Sequence, residues 1–175
     1  MGLLLRNSPS SIRCLESLEN LNLSYCSNFE KFPEIQWNMK FLKALYLTHT
    51  AIKELLNSFG CLQDLEILDL SGCSNLERLP EIQKDMGNLQ FLSLDGTAIK
   101  GLPCSIGHLT GLYRLDLENC RNLRSLPNIC GLKSLEDLFM MVVKSRGFFR
   151  DHRGYGTIRT PFVTRNGHDR AAIIN

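Results

Sequence analysis

The sequence predicts a solenoid of about six short coils, each supplying one strand to a parallel sheet, and two periodicities support this prediction. The pattern LxxLxL, in which x is any residue, recurs every 23 or 24 residues, and Met140 takes the final place of the last copy. A stricter period of 47 residues relates two further sets of residues, so the repeating unit is a pair of unlike coils. The six copies begin at Leu18, Leu42, Leu65, Leu89, Leu112 and Leu135, and the sets are Cys26, Cys73 and Cys120, and Pro33, Pro80 and Pro127.

A period in the low twenties built on this pattern is characteristic of a leucine-rich repeat. The chain has 175 residues, of which 31 are Leu, whereas Ile and Val, which ordinary sheets favour, number 11 and 3. We therefore predict an α/β leucine-rich repeat solenoid, with short parallel strands on the concave face and loops, 3-10 turns and short helices on the convex face. Because one coil alone leaves its leucines exposed, burial of leucine between stacked coils is the main stabilising contribution.

Each part of a coil has a predicted role. Alternate side chains of a strand share a face, so Leu68 and Leu70 are expected to point inward while Asp69 faces solvent. The Cys or Thr that follows the strand is expected to hydrogen-bond backbone groups of the turn that otherwise lack partners. A leucine then returns to the core, and a proline stops the turn from continuing as a helix. Leu56 occupies one of these proline positions.

A shift in charge divides the chain at residue 141. The residues after it include seven basic and two acidic side chains, a net charge of +5, and no leucine, which leaves −3 for the first 141. We expect residues 1–141 to form the solenoid, truncated at its N-terminal end because the chain starts just past a strand position. Residues 142–175 are expected to be a basic tail that is disordered or not native to the protein.

The cysteines indicate a reducing compartment. There are seven of them, an odd number, and no CxxC pair suggests zinc or a redox site. The cysteines of the 47-residue set lie two coils apart, about 10 Å, which is too far for a disulfide. We expect these three to be buried free thiols, as in a cytosolic protein, with the nucleus as the alternative. Cys14, Cys61 and His108 are expected to form a second structural column.

No motif in the sequence indicates catalysis. The glycines of a phosphate-binding loop are missing before Lys144, and neither HExxH nor GxSxG occurs. The four histidines lack neighbouring Cys or carboxylate sets at ligand spacing, so we expect no enzyme activity, no cofactor and no metal. Seven basic residues spread over the tail are weak evidence for nucleic acid binding. No run of 18 apolar residues is present to span a membrane.

The remaining candidate is a protein-binding surface formed by the solvent-facing strand positions, which are predicted to align in three columns. Acidic side chains concentrate in the middle coils, and apolar or aromatic side chains lie beside them, as they do in protein interfaces. We expect a basic protein partner for this face. The columns are Asn20, Ala44, Ile67, Phe91, Arg114 and Asp137; Asn22, Tyr46, Asp69, Ser93, Asp116 and Phe139; and Ser24, Thr48, Ser71, Asp95, Glu118 and Met141. The candidate binding residues are Tyr46, Ile67, Asp69, Phe91, Ser93, Asp95, Arg114, Asp116 and Glu118.

The alternation of LDLSGCSNLERLPEI, which starts at Leu68, with LSLDGTAIKGLPCSIGHL, which starts at Leu92, resembles a known family. It is similar to the leucine-rich repeat region of plant intracellular nucleotide-binding immune receptors, particularly those with an N-terminal Toll/interleukin-1-receptor-like domain. The resemblance covers residues 7–141. It implies a non-catalytic module that recognises a pathogen effector or a modified host protein and restrains the receptor's own nucleotide-binding domain.

A second hypothesis is a general intracellular leucine-rich repeat scaffold that binds a small GTPase or a phosphatase. The stretch SIGHLTGLYRLDL, which starts at Ser105, also resembles such proteins. The gene sequence upstream of Met1 distinguishes the two hypotheses. A nucleotide-binding domain there favours the receptor, and further leucine-rich coils or a capping helix favour the scaffold.

Overall fold

The computed structural model describes residues 17–32, 41–82 and 86–140. Within them, six short strands lie side by side in chain order in one parallel sheet, and two 3-10 helices lie on the returning side of the coils. The predicted leucine-rich repeat solenoid is thereby confirmed, and the predicted tail at 142–175 lies outside the described residues. The strands are β1 (Asn20–Asn22), β2 (Ala44–Tyr46), β3 (Ile67–Asp69), β4 (Phe91–Ser93), β5 (Arg114–Leu117) and β6 (Asp137–Met140), and the helices are η1 (Asn57–Cys61) and η2 (Cys104–His108).

The strand register follows the sequence period. Leu45 pairs with Leu68, Leu68 with Leu92 and Leu92 with Leu115, so each step between coils joins residues 23 or 24 apart. Their side chains form a ladder in the core, where all four are at most 3% exposed. Stacking a leucine on the equivalent leucine of the next coil removes both from water, which is the main favourable contribution to this fold.

Aromatic side chains take the place of leucine in the first described coil. Phe29 and Phe32 are at most 1% exposed, and their rings meet edge to face with centroids 6.0 Å apart. Phe32 also meets Phe59 of η1 edge to face at 6.2 Å. Such pairs stabilise beyond the area that they bury, so this cluster joins the first coil firmly to the second.

The Cys and Thr side chains at the turns after the strands form the predicted hydrogen-bonded ladder. The Cys73 thiol donates to the carbonyl oxygen of Leu47 at 3.1 Å and lies 3.3 Å from the Thr50 hydroxyl of the preceding coil. The Thr97 hydroxyl donates to the carbonyl oxygen of Leu94 at 2.7 Å, and the Cys120 thiol approaches the same oxygen at 3.0 Å. Burial raises the pKa of the Cys73 thiol, so it stays neutral and serves as a structural donor.

The structure departs from the predicted burial of the cysteines in two places. Cys26, Cys73 and Cys120 are free thiols, but only Cys73 is fully buried, and the other two are half-buried. Cys61 and His108 end η1 and η2 at equivalent places, yet both are exposed, so they form no buried column. The buried residues of these two helices, Phe59 and Gly60 in η1 and Ile106 in η2, all precede the last residue. Cys14 lies outside the described residues.

A second line of backbone contacts runs along the solenoid where the chain turns back from the sheet. Lys31, Glu54 and Arg78 form isolated parallel bridges to one another across three coils. Ion pairs of alternating sign accompany them, with Lys53 on Glu30 at 2.8 Å and Lys100 on Glu77 at 2.5 Å. Because these side chains are about half exposed, water screens each pair and the pairs contribute little to stability. Alternation nevertheless avoids stacking like charges.

The coils differ at the residue before each 3-10 helix. Pro103 precedes η2 with φ −63° and ψ 149°, and Leu56 precedes η1 with φ −76° and ψ 157°. Both residues are therefore extended, and in both coils the carbonyl oxygen of this residue accepts the first hydrogen bond of the helix. Leu56 thus holds the conformation that a proline ring fixes.

We expect Leu56→Pro to stabilise the protein by about 0.4–1 kcal/mol, because the proline restricts the unfolded chain and already fits the native backbone. The urea midpoint measures this gain. Gln90→Pro serves as the control, because the backbone amide of this exposed residue donates a hydrogen bond to the Glu66 carbonyl that a proline cannot make, so the variant should lose stability. A lower midpoint for Leu56→Pro would show that the Leu56 side chain stabilises the turn more than its backbone conformation does.

Candidate protein-binding surface

The strand register brings the predicted columns together. In the first column Ile67 pairs with Phe91, and Phe91 pairs with Arg114. In the second column each residue pairs with the next in the order Tyr46, Asp69, Ser93 and Asp116. The third column lies just beyond the strands, where Thr48, Ser71, Asp95 and Glu118 each accept a backbone hydrogen bond from the preceding coil through their carbonyl oxygens. Met141 lies outside the described residues. We call these three aligned columns the concave columns.

Two members of the concave columns do not face solvent as the sequence analysis expected. Ser93 is 3% exposed and Ala44 is 4% exposed. Both are small, and both lie between strands whose side chains at that position are longer, such as Asp69 and Asp116 on either side of Ser93. The Ser93 hydroxyl lies 2.7 Å from the Ser71 hydroxyl, which makes Ser93 part of the supporting network and not a contact surface.

Residues Asn22, Asp69 and Asp116 share a role in shaping the turns, and they are 47 residues apart. The side-chain oxygen of each accepts a hydrogen bond from the backbone amide two residues later, at 2.9 to 3.0 Å. Asp69 also accepts a hydrogen bond from the Ser71 hydroxyl at 2.6 Å. Such turns are a common use of Asn and Asp. Asp69 and Asp116 therefore stabilise turns of the fold as well as carrying charge.

The acidic side chains influence one another. Burial raises the pKa of the Asp116 carboxyl, and the negative charges of Asp95 and Asp69 raise it further. The hydrogen bond from the Glu118 backbone amide and the positive charge of Arg114 act in the opposite direction without cancelling the rise. The pKa of Glu118 is raised as well, first by desolvation and then by Asp116 and Asp95. The face therefore holds negative charge at neutral pH at some cost to folding.

The ionised Asp116 carboxylate should lower the free energy of unfolding, and this direction can be tested. Because the pKa of Asp116 is higher in the folded than in the unfolded state, ionisation weakens folding, and the penalty is relieved as pH falls through the folded-state pKa. We expect Asp116→Asn, which keeps the turn acceptor, to raise the free energy of unfolding at pH 7 by less than about 1 kcal/mol, since the carboxyl is half-exposed. The gain should shrink towards pH 4.

Thermal melts of Asp116→Asn across this pH range make the test, with Asp64→Asn as an exposed control whose stability should stay close to that of the unmodified chain. A gain that persists unchanged at acidic pH would contradict the electrostatic explanation.

Arg114 is the one basic side chain on the concave columns. Its guanidinium carbon lies 4.3 Å from the centre of the Phe139 ring and 5.8 Å from that of Phe91, so both rings contribute cation–π contacts. Its Nε is buried without a hydrogen-bond partner among the described residues. The rings thus hold the Arg114 cation in place, and Phe139, which was left out of the candidate set, belongs with Phe91 and Arg114.

The sequence analysis also missed an aromatic pair beside the concave columns. Tyr25 is 70% exposed, and its ring stacks on that of His49 at 5.1 Å. Both residues have left-handed backbone, as do Gly72, Gly96 and Asn119 at the equivalent turns. The recurring glycines are the sequence signal for this conformation, because L-residues adopt it at a cost. Tyr25 and His49 hold these strained positions and present rings to solvent.

Some other kinds of site find no support in the part of the chain that the structure describes. No three His, Cys, Asp or Glu side chains converge there as metal ligands would. No helix within the same residues has the length and apolar character needed to cross a bilayer.

Comparison with known proteins assigns the family. A family model described as leucine-rich repeats of RPS4B-like disease resistance proteins matches residues 61–156, which is more than half of the chain. The chain belongs to this family. The match runs past the charge boundary at residue 141 and ends at residue 156.

Solved structures of other leucine-rich repeat proteins resemble this RPS4B-like chain. The leucine-rich repeat domain of the type III effector XopL is 24% identical with a TM-score of 0.60, over 74% of this chain and 58% of that domain. InlP of Listeria monocytogenes is 26% identical with a TM-score of 0.53, over 70% of this chain and 35% of its own. The chain thus spans little more than half of XopL's domain and about a third of InlP, and the likeness supports the fold.

Proposed function

We propose that this chain is the partner-recognising part of an intracellular plant disease resistance receptor of the Toll/interleukin-1-receptor type. It is a non-catalytic module of the cytoplasm, or of the nucleus, and its concave columns bind a basic protein surface. The partner is a pathogen effector, a host protein that the receptor guards, or the receptor's own nucleotide-binding domain. The match to disease resistance proteins supports the receptor role. Leucine-rich repeat domains in general bind proteins.

The arrangement of charge supports the choice of face. Asp69 and Asp116 are held by turn hydrogen bonds, and Asp95 accepts a hydrogen bond from the Asn119 side-chain amide at 2.8 Å. Fixed carboxylates lose little freedom when a cation binds, so they favour association and selectivity. The carboxylates of Asp95 and Glu118 accept no equivalent turn hydrogen bond among the described residues. Partner binding is therefore the better explanation for these two acids.

Apolar side chains on the same face supply contact area. Tyr46, Ile67 and Phe91 are half-buried, and they lie on adjacent strands next to the acids. Aromatic side chains bordered by polar ones are the usual centre of a protein interface. Together these residues suit a partner with Lys or Arg side chains around an apolar contact.

A charge-reversal comparison tests the proposed surface. The chain is expressed as bait in plant cells as the unmodified form, as Asp95→Lys/Glu118→Lys, and as Asp64→Lys/Glu81→Lys. The second variant changes net charge equally at exposed acids away from the concave columns. We expect a protein that the unmodified and control baits retain and the concave variant loses. Retention by all three baits, with equal melting temperatures, would contradict the proposed surface.

A further inference from the structure

Arg114 is a cation on an acidic face, yet it forms no ion pair with the described residues. Two carboxylates are its neighbours, because Asp116 follows two residues later on β5 and Asp137 pairs with Arg114 on β6. The ion pairs in the part of the chain that the structure describes lie elsewhere, and none of them includes Arg114. A guanidinium that lies near carboxylates commonly binds one of them, so the geometry that keeps Arg114 apart is informative.

Two phenylalanine rings hold the Arg114 side chain. Its guanidinium carbon lies 4.3 Å from the centre of the Phe139 ring and 5.8 Å from that of Phe91, and both rings attract the cation. The Nε atom is buried without an acceptor, whereas Nη1 and Nη2 are not buried in this way and donate no hydrogen bond to the described residues. The inner part of the side chain is therefore enclosed, and its outer end is open to an acceptor.

A carboxylate is the acceptor that suits this outer end. Nη1 and Nη2 donate in parallel, and the two oxygens of a planar carboxylate accept both hydrogen bonds at once. A phosphate group could also accept them, but its larger negative charge would meet stronger repulsion from Asp116 and Glu118. These two acids attract a cation instead. The surface around Arg114 thus suits a single negative charge that lies next to a positive one.

We propose that Arg114 binds an Asp or Glu side chain of the partner, and that this acid lies beside a Lys or Arg that pairs with the acids of the concave columns. The inference rests on the proposed function, because it uses the same face. Arg114 and Asp116 are two residues apart on a strand, about 7 Å, so an extended partner segment matches them when its acid and base are two residues apart. A partner that lacks the acid covers the Arg114 cation and leaves it unpaired, which makes Arg114 a determinant of specificity.

Selection from a phage-displayed library of random peptides tests this proposal, with the full-length chain as bait. We expect the unmodified chain to select peptides enriched in Lys or Arg and, two residues away, in Asp or Glu. Arg114→Gln should lose the enrichment in acids and keep the enrichment in bases, and the bases also show that this variant is folded. The control Arg124→Gln removes the same charge at an exposed residue away from the concave columns and should select as the unmodified chain does.

A single selected peptide then measures the size of the effect. Replacing its Asp or Glu by the matching amide should weaken binding to the unmodified chain about tenfold, as expected for the loss of a hydrogen bond between charged groups. The same replacement should change binding to Arg114→Gln by less than about twofold. Phe139→Leu keeps the cation but removes the nearer ring, so it should show a loss between these two.

Two results would overturn the proposal. Peptides selected by the unmodified chain without enriched acids would show that Arg114 takes no carboxylate. A preference for acids that survives in Arg114→Gln would show that another residue binds them. Failure of the proposed function is a different result, in which bases are not enriched or are still enriched by Asp95→Lys/Glu118→Lys.

Discussion

Replacing Leu92 by Ala should lower the free energy of unfolding by about 2–5 kcal/mol, as other large-to-small core substitutions do. Leu92 is 1% exposed and pairs with Leu68 and Leu115 on the neighbouring strands, so the lost methyl groups leave a gap between coils on both sides. A solenoid has no other element that can move into this gap. Urea titration followed by circular dichroism measures the loss.

The control for this experiment is Gln90→Ala in the same coil. The Gln90 side chain is exposed, and its backbone hydrogen bonds remain in the variant, so the change should cost less than about 0.5 kcal/mol. Asp69 would have been the control on the sequence alone, but its carboxylate accepts two hydrogen bonds from Ser71. Equal losses for Leu92→Ala and Gln90→Ala would show that the assignment of inward and outward side chains is wrong.

Replacing Gly131 by Ala should also be costly, for a different reason. An added methyl group would lie 2.7 Å from the Cα and the carbonyl carbon of Gly107 and would overlap the Gly107 carbonyl oxygen. These are backbone atoms, so two coils must separate to make room. Overpacking of this kind typically costs about 1–3 kcal/mol.

Gly101 provides the matched control, because an added methyl group there meets no atom within 4 Å. Gly101→Ala should be neutral or stabilise by up to about 1 kcal/mol, since alanine restricts the unfolded chain. Melting temperatures of both variants give the comparison. If Gly131→Ala is as stable as Gly101→Ala, the coils pack less closely at Gly107 than the structure indicates.

The repeat pattern was sufficient to predict the fold because each coil stacks on a copy of itself. The spacing of Leu68, Leu92 and Leu115 determines the strand register, and the Cys and Thr positions determine which side chains bond the turns. Periodicity does not reveal where neighbouring side chains cover a short one, as at Ser93. It also does not reveal which acids shape turns, because Asp69 and Asp95 look alike until their hydrogen bonds are known.

The candidate surface was predictable in outline and not in its detail. Alternation along the strands places Tyr46, Ile67 and Phe91 on one face, and the register confirms their adjacency. The contacts of Arg114 with two rings depend on rotamers that a sequence does not specify. The Tyr25 and His49 stack depends on left-handed turns at residues that rarely adopt them.

The rate at which a captured partner associates, measured against salt concentration, tests the central claim most directly. Binding to the unmodified chain should be fast at low salt and slow steeply as salt rises, because the acids of the concave columns attract a basic surface. Asp95→Lys/Glu118→Lys should bind slowly with little salt dependence, whereas Asp64→Lys/Glu81→Lys should behave like the unmodified chain. Identical rates and salt dependence for all three would contradict the claim that the concave columns bind the partner.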